Sequence, residues 1–173
     1  MRAMVGVAAV LFGGFAGGPA WAQGVLPDPA PTPGAINPAV MQANIGATIC
    51  VRGWTRTVRP PEEYTYRLKR EQMRAWGYTD RRLRDFEEDH LVSLGLGGAP
   101  YDHRNLWPEP RHTADGWDAD RKDELEAELG RLVCTGRVSL TEAQRAMATD
   151  WIAAWRRYVG LPGATGEATG EGE

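Results

Sequence analysis

Glu88-Asp89-His90-Leu91-Val92, followed by Leu96-Gly97-Gly98 and then by Arg104-Asn105-Leu106-Trp107-Pro108, is the stretch that decides the fold. Phe86 to Leu96 reads as a strand and the loop leaving it. Asn105 to Trp107 begins a second, short strand. Pro108 and Pro110 confine that strand to an edge, because proline donates no ladder hydrogen bond. A helix is expected from about Ala119 to Val133, with Leu125, Leu129, Leu132 and Val133 at helical spacing. Strand, glycine loop, strand and helix make a minimal ββα unit. It sets a carboxylate beside an imidazole, Asp89 and His90, on the first strand and an amide, Asn105, at the second. Alternation along the strand sends Glu88 and Asp89 to opposite faces.

Outward from this unit the elements are helical. Pro60-Pro61-Glu62-Glu63 starts a helix, with prolines ahead of it and acids in its first turn. It runs to about Trp76 and stops at Gly77. Leu68, Met73, Ala75 and Trp76 are its expected buried side, and Arg67, Lys69, Arg70 and Arg74 its exposed one. Ser139-Leu140-Thr141-Glu142 is a capping box that opens the last helix. Leu140, Ala143, Met147, Trp151, Trp155 and Tyr158 form its inner stripe, and Gly160 with Pro162 ends it. The aromatics of that stripe read as core. Asn37 to Ile49 is a short helix or coil, and Cys50 to Thr55 reads as extended.

The chain ends have a different character. Met1-Arg2, the apolar run Met4 to Phe15 and the small-x-small site Ala20-Trp21-Ala22 have the three regions of a secretory signal, cleaved near Ala22. The apolar run is too short to span a bilayer. Residues 23–38, rich in proline, read as an extended linker. Residues 39–162 form one domain, and the Gly, Thr and Glu tail 163–173 reads as disordered. The expected product is exported, periplasmic or extracellular, without stable membrane insertion, and monomeric by default. An exported chain with two cysteines, Cys50 and Cys134, favours one disulfide, and Cys-x-x-Cys metal spacing is absent.

The net charge of −3 does not announce a polyanion binder, but its distribution is uneven. Arg52 to Arg84 holds ten Lys or Arg against four acids, whereas Asp85 to the end holds nine against eighteen. A basic half preceding an acidic, motif-bearing half suits a phosphate backbone lying beside a cation site. For most of the arginines taken singly, a solvated helix face is the better reading.

Asp89-His90-Leu91-Val92, Leu94, Leu96-Gly97-Gly98 and Asn105-Leu106 resemble the HNH nucleases, also called His-Me finger or ββα-metal nucleases. The likeness covers about residues 86–132. A closer likeness, over Asn37 to Tyr158, is to small exported bacterial proteins with Glu-Asp-His-Leu, Leu-Gly-Gly, Arg-Asn-Leu-Trp-Pro-Glu-Pro and a Lys-Asp pair, here Lys122-Asp123, in the next helix. The resemblance implies an α+β fold with a ββα-metal core, further packing helices and one disulfide. It implies an endonuclease cutting phosphodiester bonds of DNA, or of RNA, with one divalent ion, Mg²⁺ or Mn²⁺ ahead of Zn²⁺. Asp89 would ligate the ion. His90 would take a proton from the attacking water, which a neutral imidazole does near neutral pH. Asn105 would bond across the loop and orient His90. Arg104 and Arg111 would contact phosphate.

The family's metal ligand on the helix is a His or Asn, and this chain has neither there. Asp118 stands at the place, open to two roles, metal ligand or helix N-cap. His112 is the rival ligand, on a Pro-Arg-His-Thr loop where a solvated histidine is the plainer reading. His103, in the inter-strand loop, has at most a phosphate contact. Ser93 and Gly95 stand where the exported group often has Pro and Glu. A supporting carboxylate lost there weakens a metal site. Two further functions therefore compete with the nuclease: a non-catalytic module of the same fold that binds nucleic acid or an exported protein, and another hydrolase with a one-metal site. A His-Glu-x-x-His helix and a Gly-x-Ser-x-Gly elbow are both absent, which disfavours a zincin and an esterase.

Overall fold

The computed structural model describes residues 25–80 and 82–160. The segments read as a signal and as a terminal tail lie outside them. Among the described residues the fold is of α+β type: four α-helices and a two-stranded antiparallel sheet. A short helix α1 (Trp54–Val58) precedes α2 (Glu62–Ala75). Strands β1 (Phe86–His90) and β2 (Leu106–Pro110) follow, then α3 (Ala119–Cys134) and α4 (Leu140–Tyr158).

The hairpin pairs Phe86 with Pro110, Glu87 with Glu109, Glu88 with Pro108, Asp89 with Trp107 and His90 with Leu106. β2 thus runs through both prolines. The main-chain groups of Leu106, Pro108 and Pro110 point away from β1, so the N–H that proline lacks costs no ladder bond. The outward carbonyls are covered from α2 and the segment after it: Gln72 Nε2 donates to Leu106 O at 2.9 Å and Tyr78 OH to Pro108 O at 3.0 Å. Lys69, expected on the exposed side of α2, is buried instead. Its ammonium donates to Leu83 O (2.9 Å) and Phe86 O (2.8 Å), carbonyls at the entry to β1 that would otherwise be orphaned. Gln72 joins Leu68 and Met73 on the buried side, while Ala75 is exposed and Trp76 half-buried.

The main core lies between the inter-strand loop, α3 and α4. Leu91, Val92, Leu96, Trp107, Leu125, Leu129, Val133, Met147 and Trp151 meet there, each almost without exposed surface. Each such side chain contributes about 1.5–3 kcal/mol by leaving water. Trp117 packs edge-on against Trp151 and Trp155, with ring centroids 6.1 and 5.5 Å away. A smaller cluster of Met73, Tyr78 and Phe86 lies on the α2 side. Ser139 caps α4, its hydroxyl accepting from Glu142 N at 3.1 Å. The Glu142 carboxylate does not return the bond: it accepts from Arg157 and from Tyr158 OH one helix-length away.

The stretch Cys50 to Thr55 is not extended. Gly53, at φ 84°, turns the chain into α1, which ends ahead of the buried Pro60. Cys50 is bonded to Cys134, tying this turn to the last residue of α3. Residues 25–38, read as a linker, lie on the domain. Gly34 N donates to Arg104 O (2.9 Å), Asn37 N to Gly97 O (2.8 Å) and Trp151 Nε1 to Val25 O (3.0 Å).

Candidate active site

The inter-strand loop is held shut by Asn105. Its side chain accepts from Val92 N at 2.9 Å and donates to Val92 O and Ala99 O at 3.0 and 3.2 Å. It crosses the loop as expected, but it grips main chain two residues beyond His90 and makes no bond to the imidazole. The close approach explains the glycine pair. A Cβ on Gly98 would stand 1.7 Å from Val92 O and 2.6 Å from the Asn105 amide. Gly97 takes a left-handed turn at φ 74°.

His90 ends β1 and is 4% exposed. Its Nε2 lies 3.0 Å from Pro100 O. A carbonyl only accepts, so Nε2 carries the proton and Nδ1 is the lone-pair nitrogen, without a hydrogen-bond partner among the described residues. Burial lowers the imidazole's pKa against the opposing pull of Asp89, so the ring is neutral near pH 7. The ring helps to line a pocket of about 310 Å³ with Thr55, Arg59, Asp89, Ser93, Asp123 and Glu126. Arg59 is exposed, and no described carboxylate pairs with it. Gly95 also borders this pocket, and a Cβ there would have Ser93 Oγ at 3.8 Å as its nearest neighbour.

Asp89, which borders this pocket, is also grouped with Glu87 and Glu109. One oxygen from each of these three lies within 4.8 Å of the others. Lys122 of α3 enters from the opposite side. Its ammonium is bonded to Asp89 Oδ2 and Glu126 Oε1, donates to His90 O at 3.0 Å, and stands 3.8 Å from Glu109 Oε2. The Lys122 side chain is 1% exposed. Burial alone would raise Asp89 and lower Lys122. Their mutual attraction outweighs it, holding Asp89 low and Lys122 high. Burial raises Glu109 well above the ordinary carboxylate range, against the pull of Lys122. Burial also lifts Glu126, to about 7.

The other expected site residues lie apart from this cluster. Asp118 takes the N-cap position of α3, where its side chain makes no capping bond, and it is not among the grouped carboxylates. Arg104 is paired with Asp102 at 2.7 Å and borders a different groove, beside Pro33 and Gln144. Arg111 is paired with Glu87 at 2.7 Å. His112 is exposed, and His103 Nε2 meets Tyr64 OH at 3.2 Å. Glu87, Glu126 and Arg59 were not singled out in the sequence, and Glu109 and Lys122 only as motif residues without a role. Two signals pointed to some of them: Glu109 faces Glu87 once the hairpin register is set, and Lys122 and Glu126 are one helical turn apart.

Three carboxylates on one face are the kind of oxygen set that a hard divalent ion takes. Two of them already have cations, Arg111 on Glu87 and Lys122 on Asp89. An ion bridging these oxygens would stand about 4 Å from the ammonium, a repulsion of about 8 kcal/mol at an effective dielectric constant of about 20. Lys122 has no solvent to swing into. With Lys122 in place the set does not fit a divalent ion.

Comparisons with protein-family models, with curated proteins and with solved structures return no match. Among the described residues, no helix is long and apolar enough to cross a membrane.

Proposed function

We propose that this chain is an exported endonuclease acting on phosphodiester bonds of DNA, with RNA as the other polymer to test, and that His90 is its general base. The observation that supports this reading best is the state of His90. The ring is neutral, its tautomer is fixed by Pro100 O, and its free nitrogen belongs to a ring that lines a pocket. Such a group takes a proton from water, a role worth about 10²–10⁴-fold in rate. Arg59, at the pocket wall and unpaired among the described residues, is the cation available to a phosphate there. Asn105 acts at one remove, by holding the loop that positions Pro100 and His90.

A second reading, a non-catalytic module of the same architecture binding nucleic acid or an exported protein, is favoured by Lys122. A buried ammonium neutralises Asp89 without offering a phosphate an open coordination position. Cleavage assays separate the two. Plasmid DNA and RNA are incubated with the oxidised chain from Gln23 onward, with Mg²⁺, Mn²⁺, Zn²⁺ or EDTA, beside His90→Ala. The nuclease reading expects nicking that falls at least about 100-fold in His90→Ala. A folded sample that cuts neither polymer under any of these conditions overturns it in favour of the module.

A further inference from the structure

The cation place beside Asp89 has an occupant within the chain. The structure assigns it to Lys122: its ammonium, held among Asp89, Glu109 and Glu126, supplies the positive charge at Asp89 that the resemblance would give to a divalent ion. From the nuclease reading this takes only the expectation of a cation at Asp89.

Four observations carry it. Lys122 Nζ is bonded to a carboxylate of β1 and to one of its own helix, so it bridges hairpin and helix as a bound ion would. It also takes the outward carbonyl of His90 at 3.0 Å, a further oxygen ligand. It is 1% exposed, so it is a resident of the site and not a surface side chain visiting it. Finally, its position is built: the residue is one turn into α3, and Leu125 and Leu129 fix that helix face in the main core. An ammonium supplies donors along fixed directions and exchanges no ligands, whereas a metal ion offers open positions to substrate. Lys122 therefore orients Asp89 and the end of β1, and so is a positioning residue for His90.

Manganese is the probe, because bound Mn²⁺ loses the sharp paramagnetic resonance signal of the free ion. The oxidised chain from Gln23 onward is titrated at neutral pH. The wild type is expected to show no saturable uptake that depends on Asp89, with a Kd above about 1 mM. Lys122→Ala vacates the position and is expected to bind one ion at least about 100-fold more tightly, with a rise in Tm on adding Mn²⁺. If Lys122→Ala does not fold, the pair Lys122→Ala with Glu126→Gln removes one stranded carboxylate and carries the same expectation. Uptake of one ion by the wild type that Asp89→Asn abolishes overturns the assignment. So does a folded Lys122 variant that binds none. The nuclease reading fails separately, in the plasmid assay, since Mn²⁺ uptake is read without any cleavage.

Discussion

Glu88 gives a prediction whose size follows from its surroundings. It sits on the α2 face of β1, opposite Pro108. Part of the residue reaches the surface, but both carboxyl oxygens are sealed from solvent and have no hydrogen-bond partner. Lys69, the cation whose charge bears on it, spends its ammonium on Leu83 O and Phe86 O. Burial, with Asp89 adding to it, pushes the carboxyl up to about 9 from an ordinary 4.5. The folded chain therefore keeps a proton that the unfolded chain releases. The stability this gives is present below about pH 4.5 and is lost as the pH rises toward 9. The loss is about 1.4 kcal/mol for each pH unit in that window, so about 4 kcal/mol between about pH 5 and about pH 8. If the ionised carboxylate draws Lys69 or water toward it, roughly half of that remains. Glu88→Gln keeps the shape and removes the titration. Urea unfolding of both proteins, oxidised, is to be followed at about pH 5, 6.5 and 8. The variant should match the wild type at the lowest pH and exceed it by about 2–4 kcal/mol at the highest, with unchanged m. Every other titrating group is shared, so it largely cancels in the difference. A gap that stays constant to within about 0.5 kcal/mol across the series would refute the reasoning, since Glu88 would then ionise alike in both states.

Other substitutions test the loop and the cluster. Gly98→Ala drives a methyl into Val92 O and the Asn105 amide; a loss of about 3 kcal/mol or more is expected in chemical denaturation, and a neutral effect would mean the loop closes differently. Asn105→Ala strands Val92 N, Val92 O and Ala99 O, and should cost about 3 kcal/mol, with faster amide exchange confined to residues 91–99 if the loop opens on its own. Lys122→Ala leaves Asp89 and Glu126 without their ammonium and should destabilise by about 3–5 kcal/mol at neutral pH, read by thermal unfolding without added metal. Reducing Cys50–Cys134, a separation of 84 residues, should cost about 4–5 kcal/mol by loop entropy, and an unchanged unfolding midpoint under reductant would show that the unfolded chain was already compact.

Much of this was legible because it is local. Phe86 to His90 and Leu106 to Trp107 carry strand patterns, and the apolar spacing of Leu125, Leu129, Leu132 and Val133 fixes the inner side of α3. Gly97-Gly98 with Asn105 gave the loop, whose reason the geometry supplies as a Cβ clash. The charged residues were harder to read. Lys69 looks like a solvated helix residue and Lys122 like one member of a motif pair, and their partners include main chain 14 and 17 residues away for Lys69 and a carboxylate 33 residues away for Lys122. Arg104 and Arg111 look like free cations, yet neighbours two residues off and across the hairpin neutralise them. Helical and strand periods say which side of an element is apolar. They do not say which acid meets which base. That depends on the hairpin register and on the angle at which α3 crosses it.

The bond between Cys50 and Cys134 encloses β1, the glycine loop, β2 and nearly all of α3. Asp89, His90, Asn105, Lys122 and Glu126 are all members of one covalent ring. A protease that nicks the ring once opens it but releases nothing. The cut chain keeps its mass, its pieces separate on a gel only after reduction, and the groups around His90 stay tethered to one another. A first cleavage in this region is an injury the covalent frame survives.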